Sequence, residues 1–227
     1  MHSLNHDLLF EHIASKHSNL WQHFTDSYTD LNSRYYGKVH LNQSISKTYK
    51  VRLKYFNDQY NKPLRLYKLH GSVDTYIANI ADPVDLTRVK KDWGVGRIQK
   101  EIENEDGKFE YSELFQFTHS DILSGASSKA MWYKQPHYKE LIERFKSNLK
   151  EAEKLIVFGY GFSDDGINYI LEADYLTDGK EMLVVDIAKP TSRLFEHYKT
   201  NLIKKSVSDI TLDEWISAIK TSRSARS

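Results

Sequence analysis

The amino-acid sequence predicts an α/β fold built on a parallel sheet. Two continuous apolar strands, at 155–158 and 182–187, flank an amphipathic helix. Strands covered on both faces carry such unbroken apolar runs, and the order strand, helix, strand is typical of a right-handed βαβ unit. A further strand at 64–69 ends at His70, and both it and the strand at 155–158 run into glycine-marked turns. Open α/β sheets bind their ligands at such turns.

The N-terminal part of the chain predicts one helix followed by short elements. Apolar residues at helical spacing predict a helix over 7–17, with Asp7 at its cap or in its first turn. Residues 21–64 are rich in Tyr, Asn, Ser and Lys and have weak periodicity, which predicts turns and short elements. Residues 64–69 alternate apolar with basic side chains, which favours a strand that ends at His70.

The middle of the chain predicts an inserted lobe over about 74–120, because prolines and glycines interrupt its charged segments. A strand over 115–123 and a loop of small residues over 124–129 follow. Apolar residues at spacings of three and four predict a helix over 138–149.

The C-terminal end predicts a last helix near 212–219, with Thr211 or Ser208 at its N-cap. Residues 221–227 are expected to form a disordered tail, so that one domain spans 1–220.

Composition restricts the classes of function. The 227 residues are 40% hydrophobic, which suffices for a buried core, and the net charge of +1 gives no electrostatic argument for nucleic acid. The absence of cysteine excludes disulfides, thiolate zinc sites and cysteine nucleophiles. No apolar run approaches the roughly 20 residues of a membrane helix, and the N-terminus lacks the pattern of a signal peptide. A cytoplasmic protein without membrane or nucleic-acid partners is expected.

The turn after Phe158 is a candidate nucleotide site. Gly159 and Gly161 allow a close approach of a ligand, and Ser163 offers a hydroxyl for a ribose or phosphate oxygen, or for capping the next helix. Two aspartates at 164 and 165 would repel phosphate, and the sequence lacks the full Gly-x-Gly-x-x-Gly pattern. A well-capped turn between a strand and a helix remains the alternative.

Two further side chains stand at predicted strand ends. His70 would lie at the edge of the sheet as a general base, and Asp186 could accept hydrogen bonds from ribose hydroxyls. A structural histidine and a solvated carboxylate are the respective alternatives. The N-terminal histidines are interpreted as surface or capping residues rather than metal ligands, because no acidic ligand accompanies them at a convincing spacing; they are His2, His6, His12, His17 and His23.

Four motifs occur in order along the chain: Leu4-Asn5-His6-Asp7, Lys68-Leu69-His70-Gly71-Ser72, Val157-Phe158-Gly159-Tyr160-Gly161-Phe162-Ser163-Asp164-Asp165 and Val184-Val185-Asp186. Together they resemble the sirtuin-like NAD-binding domains of bacterial antiphage defence proteins. The likeness covers nearly the whole chain, and the order of four motifs is more specific than any one of them. It implies a Rossmann-like parallel sheet with helices on both faces, truncated at its N-terminus, and an inserted smaller lobe without zinc.

The resemblance also implies roles for individual residues in binding and cleaving NAD. Asn5 would hold the ribose hydroxyls or an attacking water, Asp7 would recognise the nicotinamide carboxamide, and His70 would accept a proton. The residues implied to line the adenosine half of NAD and its ribose are Gly159, Gly161, Ser163 and Asp186. NAD would be a substrate, cleaved to nicotinamide and ADP-ribose.

Two departures from the family pattern shape the functional expectation. Protein-deacylating sirtuins carry a zinc ribbon with four cysteines, and this chain has none, so NAD hydrolysis in antiphage defence is favoured over removal of acyl groups from lysine. The family's first strand and glycine-rich pyrophosphate loop are absent, which favours a homo-oligomer or a complementing chain. A catalytically inactive module that binds NAD or ADP-ribose is the alternative to the glycohydrolase.

Overall fold

The structure is a computed structural model that describes residues 1–42, 46–79, 86–117, 119–123 and 135–221. Contacts between Cα atoms divide the chain into a first unit, 1–141, and a second unit, 142–227. The predicted loop at 124–129 lies outside the described residues, as does the tail beyond Thr221.

The first unit begins with one short strand and two helices, which are β1 (His2–Ser3), α1 (Leu9–Lys16) and α2 (Ser18–Trp21). Helix α1 confirms the predicted N-terminal helix. The Asp7 carboxylate accepts the backbone N–H of Leu9 at 3.0 Å, which satisfies one of the donors at the start of the helix. Ala14 packs with Phe24 and Leu66 in a small hydrophobic core.

The other strands of this unit range from two to nine residues. In chain order they are β2 (Phe24–Thr25), β3 (Tyr28–Thr29), β4 (Tyr35–Asn42), β5 (Ser46–Arg52), β6 (Lys54–Phe56), β7 (Leu64–Arg65), β8 (Tyr67–Lys68), β9 (Thr75–Asn79), β10 (Leu86–Lys90), β11 (Val95–Glu103), β12 (Phe109–Glu113) and β13 (Phe115–Gln116). The expectation of only turns and short elements over 21–64 is therefore wrong for β4 and β5. Among the described residues of the predicted strand over 115–123, which leave out position 118, the structure forms β13 and a single bridge between Gly71 and Ile122.

Antiparallel pairing dominates the described strands. One sheet has the order β13-β9-β10-β6-β3 and another the order β12-β11-β4-β5, and every pairing in both is antiparallel. The predicted Rossmann-like parallel sheet with helices on both faces is therefore wrong. The physical reason is the length of the connections. Neighbours such as β11 and β12 are joined by only a few residues, whereas a parallel pair needs a crossover of roughly a dozen or more.

Among the described residues of the first unit, parallel pairing is confined to two short pairs. β1 lies beside β8 with Ser3 opposite Lys68, and β2 lies beside β7 with Phe24 opposite Leu64. Leu66 and Leu69, which flank β8, are almost completely buried. The N-terminal segment is thereby fixed next to the turn at His70.

The second unit contains the βαβ unit that the sequence predicts. Its elements are α3 (Pro136–Glu151, which begins in the first unit), β14 (Leu155–Phe158), α4 (Asp165–Asp174), β15 (Met182–Asp186), α5 (Leu194–His197), β16 (Thr200–Lys204) and α6 (Leu212–Thr221). The strands form a parallel sheet in the order β14-β15-β16, in which β16 is an element that the sequence analysis missed.

The last helix, α6, has the N-cap that the sequence suggested. Thr211 Oγ1 accepts the N–H of Glu214 at 3.3 Å, and the Glu214 carboxylate accepts the N–H of Thr211 at 3.0 Å. This reciprocal pair is a capping box, so Thr211 rather than Ser208 is the cap.

Across the part of the chain that the structure describes, no helix combines the length and apolar character needed to cross a membrane.

Candidate functional site

The two motifs that carry the predicted catalytic residues meet in the first unit. Through the pairing of β1 with β8, the Leu69 N–H donates to the Ser3 carbonyl at 3.0 Å. The Lys68 ammonium donates to the main-chain oxygens of Asn5, at 3.4 Å, and Asp7. Asn5 and Asp7 themselves are exposed. A segment at the start of the chain is thus held against the turn that carries the predicted base.

His70 is enclosed rather than displayed on the surface. It is 4% exposed, and its carbonyl oxygen accepts the N–H of Leu123 at 2.8 Å. Its ring lies 6.2 Å from the ring of His6, measured between centroids. Nδ1 of His6 is buried and, among the described residues, has no hydrogen-bond partner. Two imidazoles therefore lie side by side at the junction of the motifs.

Sequence reasoning missed His6, which it assigned to the surface histidines. The signal that could have found it is its position between Asn5 and Asp7, in the segment expected to face NAD. His2 also departs from the interpretation as a surface residue. It stacks on Tyr67 with ring centroids 4.7 Å apart, and burial together with the charge of the N-terminus lowers its pKa to about 3.

Gly71 has a backbone conformation and a close contact that a residue with a Cβ atom would not tolerate. Its φ is +81°, and a Cβ added there would lie 1.9 Å from the Asp121 carbonyl oxygen. Asp121 is in turn fixed by Arg88, whose Nε is 2.7 Å from one carboxylate oxygen, and by the Tyr138 hydroxyl, 2.9 Å from the other. Ser72 N–H donates to the same Asp121 carbonyl at 3.2 Å. A buried ion pair thus holds the backbone against which the turn is packed.

A network of charged side chains lies on the other side of the turn. Lys90 is 2.6 Å from Asp26, 3.4 Å from Asp74 and 3.5 Å from Glu11, which also lies 3.5 Å from Lys68. All five side chains are only 11–16% exposed. Burial by itself lowers the pKa of Lys90, but the three carboxylates outweigh it and raise the pKa above its ordinary value. Lys68 connects this network to the Asn5 segment.

A cavity of about 20 Å³ lies beneath the turn, lined by Gly71, Ser72, Lys90, Asp121 and His137 among others. This volume is enough for about one water molecule and is far too small for a nicotinamide ring.

Acidification is expected to destabilise the first unit. Burial and the Arg88 charge lower the pKa of His137 to about 2, whereas the unfolded chain titrates near the ordinary value of 6.5. Between these two pH values the unfolded state binds more protons than the folded state. The contribution of neutral His137 to the free energy of unfolding is therefore fully present above about pH 6.5 and decreases as the pH falls below that value. Urea unfolding at several pH values from about 7.5 to 4 measures the slope. His137→Phe should flatten it, and a variant with the full wild-type slope would contradict the assignment.

In the second unit, the turn after β14 carries the predicted nucleotide residues. Gly159 has a φ of +65°, and a Cβ added at Gly159 or Gly161 would meet no atom within 4 Å. Phe162 has a φ of 54°, which is rare for an aromatic residue, and is held by contacts with Tyr160 and Phe195 at ring-centroid distances of 4.6 and 5.2 Å. The backbone at the two glycines is therefore accessible to a ligand, and the aromatic contacts of Phe162 hold the turn in place.

The start of α4 is already capped by a carboxylate. One oxygen of Asp164 accepts the N–H groups of Gly166 at 3.1 Å and Ile167 at 3.2 Å. A phosphate would have to displace Asp164 to use these donors. The capped-turn alternative is thus confirmed for the helix terminus, with Asp164 rather than the exposed Ser163 as the cap.

Asp186 lies at the end of β15, half-buried, and its carboxylate accepts the N–H of Ala188 at 3.3 Å. The predicted residues therefore fall into two sets. Asn5, Asp7 and His70 belong to the first unit, and Asp186 and the glycine turn belong to the second. Within the described ranges, no group of three or more His, Asp or Glu side chains could hold a metal ion.

The sequence was also compared with known proteins. Neither protein-family models nor curated proteins give a match. A functional assignment therefore depends on the residues and geometry of the chain itself.

Proposed function

We propose that this chain is an NAD glycohydrolase that cleaves NAD to nicotinamide and ADP-ribose, as antiphage defence proteins with similar motifs do. One observation carries the proposal. Asn5 and Lys68 are 63 positions apart in the sequence, yet the Lys68 ammonium bonds the Asn5 carbonyl. Two motifs chosen from the sequence for one reaction therefore adjoin each other. The proposal is supported by these residues and not by the fold, which differs from the expected one.

The chemistry requires few groups. The bond between C1′ of the ribose and the nicotinamide nitrogen breaks, and its electron pair neutralises the pyridinium, so the leaving group needs no acid. A water molecule then adds its oxygen to C1′, and His70 takes the proton that this water loses. Asn5 orients the water or the ribose hydroxyls through its amide, which favours the reacting geometry. The burial of His70 keeps its ring out of bulk water.

A module that binds NAD or ADP-ribose without cleaving it is the second candidate. The burial of His70 favours it, because a side chain that is 4% exposed offers little surface to a substrate. The open backbone at Gly159 and Gly161 would then be the contact surface for the nucleotide. Assembly with a second copy or a complementing chain stays a prediction under both candidates.

Nicotinamide release by the purified chain, measured by liquid chromatography, tests the proposal. Asn5→Ala and His70→Gln are expected to lower turnover by about 10²- to 10⁴-fold, the usual contribution of a positioned base. His12→Ala is the matched control, because His12 is exposed on α1. Since Asn5 is exposed, its variant should fold even if substitution of the buried His70 does not.

Release that survives in a folded Asn5→Ala, His70→Gln double variant would contradict these roles. Binding of ADP-ribose without release of nicotinamide, seen by calorimetry with the folded wild-type chain, would establish the binding module instead.

A further inference from the structure

A second cavity in the first unit shares Asp26 and Tyr28 with the small cavity beneath the His70 turn. It has a volume of about 430 Å³ and is enclosed by residues from α2, β2, β3 and β6 and by the segment 57–62. Pockets of this size accommodate small organic ligands. It is called the Trp21 pocket here, after the aromatic residue that forms part of its wall.

Trp21 supplies an aromatic surface that is partly covered and partly free. Its ring stacks on Phe24, with centroids 6.0 Å apart and planes 18° apart, while 44% of the residue remains exposed. Half-exposed tryptophans carry a large apolar area that water solvates poorly. The stacking on Phe24 limits the motion of the ring, so the Trp21 side chain would lose little further entropy when a planar ligand packs against it.

Two lysines give the pocket a positive charge. The Lys54 ammonium lies 5.2 Å from the centroid of the Trp21 ring, and the Lys62 ammonium is 3.5 Å from the Trp21 carbonyl oxygen. Within the described part of the chain, neither lysine has a carboxylate within 4 Å. The pocket's own carboxylate, Asp26, is already bound to Lys90 at 2.6 Å. Among the described residues, the positive charges of Lys54 and Lys62 therefore have no carboxylate partner.

The walls of the pocket are held in unusual backbone conformations. Of the four non-glycine residues with positive φ in the described ranges, Ser27 (66°) and Asn32 (57°) line the pocket, and Asp58 (58°) lies between two lining residues. Ser27 is 1% exposed and is fixed by Asn57, whose N–H donates to its carbonyl at 3.0 Å. Such conformations persist where the surrounding structure fixes them, and they are enriched at ligand sites.

We infer that the Trp21 pocket binds a small anion that carries a planar ring, with the ring against Trp21 and the carboxylate or phosphate between Lys54 and Lys62. Stacking supplies the apolar contact, and the two ammonium groups supply charge-assisted hydrogen bonds. The amide side chains around the rim offer donors and acceptors for polar ring atoms. The pocket contains none of Asn5, Asp7 and His70, and the inference does not depend on the proposed NAD chemistry.

Isothermal titration calorimetry of the whole chain with adenosine monophosphate and with indole-3-acetate tests the inference, with adenosine as the uncharged comparison. At least one of the two anions should bind, and more tightly than adenosine. Heat with the nucleotide alone identifies a nucleotide ligand, and heat with the acid alone identifies an aromatic carboxylate. The double variant K54Q/K62Q and, separately, Trp21→Leu should weaken binding about tenfold or more.

Lys108→Gln is the matched control, because Lys108 is an exposed lysine of the same unit at the turn between β11 and β12. The Lys108→Gln variant should bind the anion with the same affinity as the wild type. If neither anion produces heat with the folded chain, the inference is overturned. Binding that K54Q/K62Q leaves unchanged would also overturn it, since the ligand would then occupy another site. Thermal melting of each variant verifies that it is folded.

Discussion

Gly71→Ala is expected to unfold the first unit or to leave it barely stable. An alanine Cβ would lie 1.9 Å from the Asp121 carbonyl oxygen and 2.8 Å from the Tyr138 hydroxyl, at a backbone φ of +81°. The carbonyl cannot retreat freely, because Arg88 and Tyr138 hold Asp121 in place. We expect a loss of about 4 kcal/mol or more in the free energy of unfolding, which is a large part of the roughly 5–15 kcal/mol of a typical domain.

Urea unfolding followed by circular dichroism measures this loss, and Gly159→Ala is its matched control. Gly159 also has a positive φ, of +65°, but an added Cβ there meets nothing within 4 Å. The control should therefore lose only the cost of the left-handed backbone, about 1–2 kcal/mol. Equal losses for the two variants would mean that the contact with Asp121 is not what makes glycine necessary at position 71.

Lys90→Met is expected to destabilise the first unit by about 3–5 kcal/mol near pH 7, the usual result of removing one partner from a buried ionic cluster. Asp26, Asp74 and Glu11 would remain together at 13–16% exposure with less positive charge among them. Acid that neutralises these carboxylates would relieve their mutual repulsion in the variant. The deficit relative to the wild type should therefore shrink as the pH is lowered from about 7 to about 4.

Urea unfolding at both pH values measures that deficit. Lys91→Met is the matched control, since Lys91 lies 4.3 Å from the centroid of the Tyr76 ring and is not part of the cluster. It should cost about 1 kcal/mol or less. A Lys90→Met variant that is as stable as this control, or whose deficit does not depend on pH, would contradict the assigned role of the cluster.

The parts of the fold that the sequence predicts are those with strong local periodicity. The βαβ unit and helix α3 have apolar residues at regular spacings, and their burial follows directly from those spacings. The hairpin of β4 and β5 does alternate, with Val39, Tyr49 and Val51 on one face and Lys38, Lys50 and Arg52 on the other. It was missed because the prediction relied on the polar composition of residues 21–64. The sheet that it joins uses contacts such as the Lys50 ammonium 3.1 Å above the Tyr111 ring, which a search for apolar alternation does not detect.

The candidate site was predictable only in part, for a related reason. Asn5 and His70 were found through a resemblance of motifs. The segments that carry them adjoin each other because β1 pairs with β8, which is distant in the sequence. The role of Asp164 was harder to foresee. Ser163 and Asp164 are both good N-cap residues, and only the backbone geometry of the turn decides which of them reaches the first N–H groups of α4.

The pairing of β1 with β8 also bears on the order of events during folding. Bringing His2 and Ser3 to Tyr67 and Lys68 closes a long loop, and its entropic cost grows with the number of residues enclosed. Hairpins such as β11 with β12 join neighbouring segments and have a far lower contact order. We therefore expect the junction of Asn5 with the His70 turn to be among the last features of the first unit to form, so that partly folded chains would contain the antiparallel sheets before this junction exists.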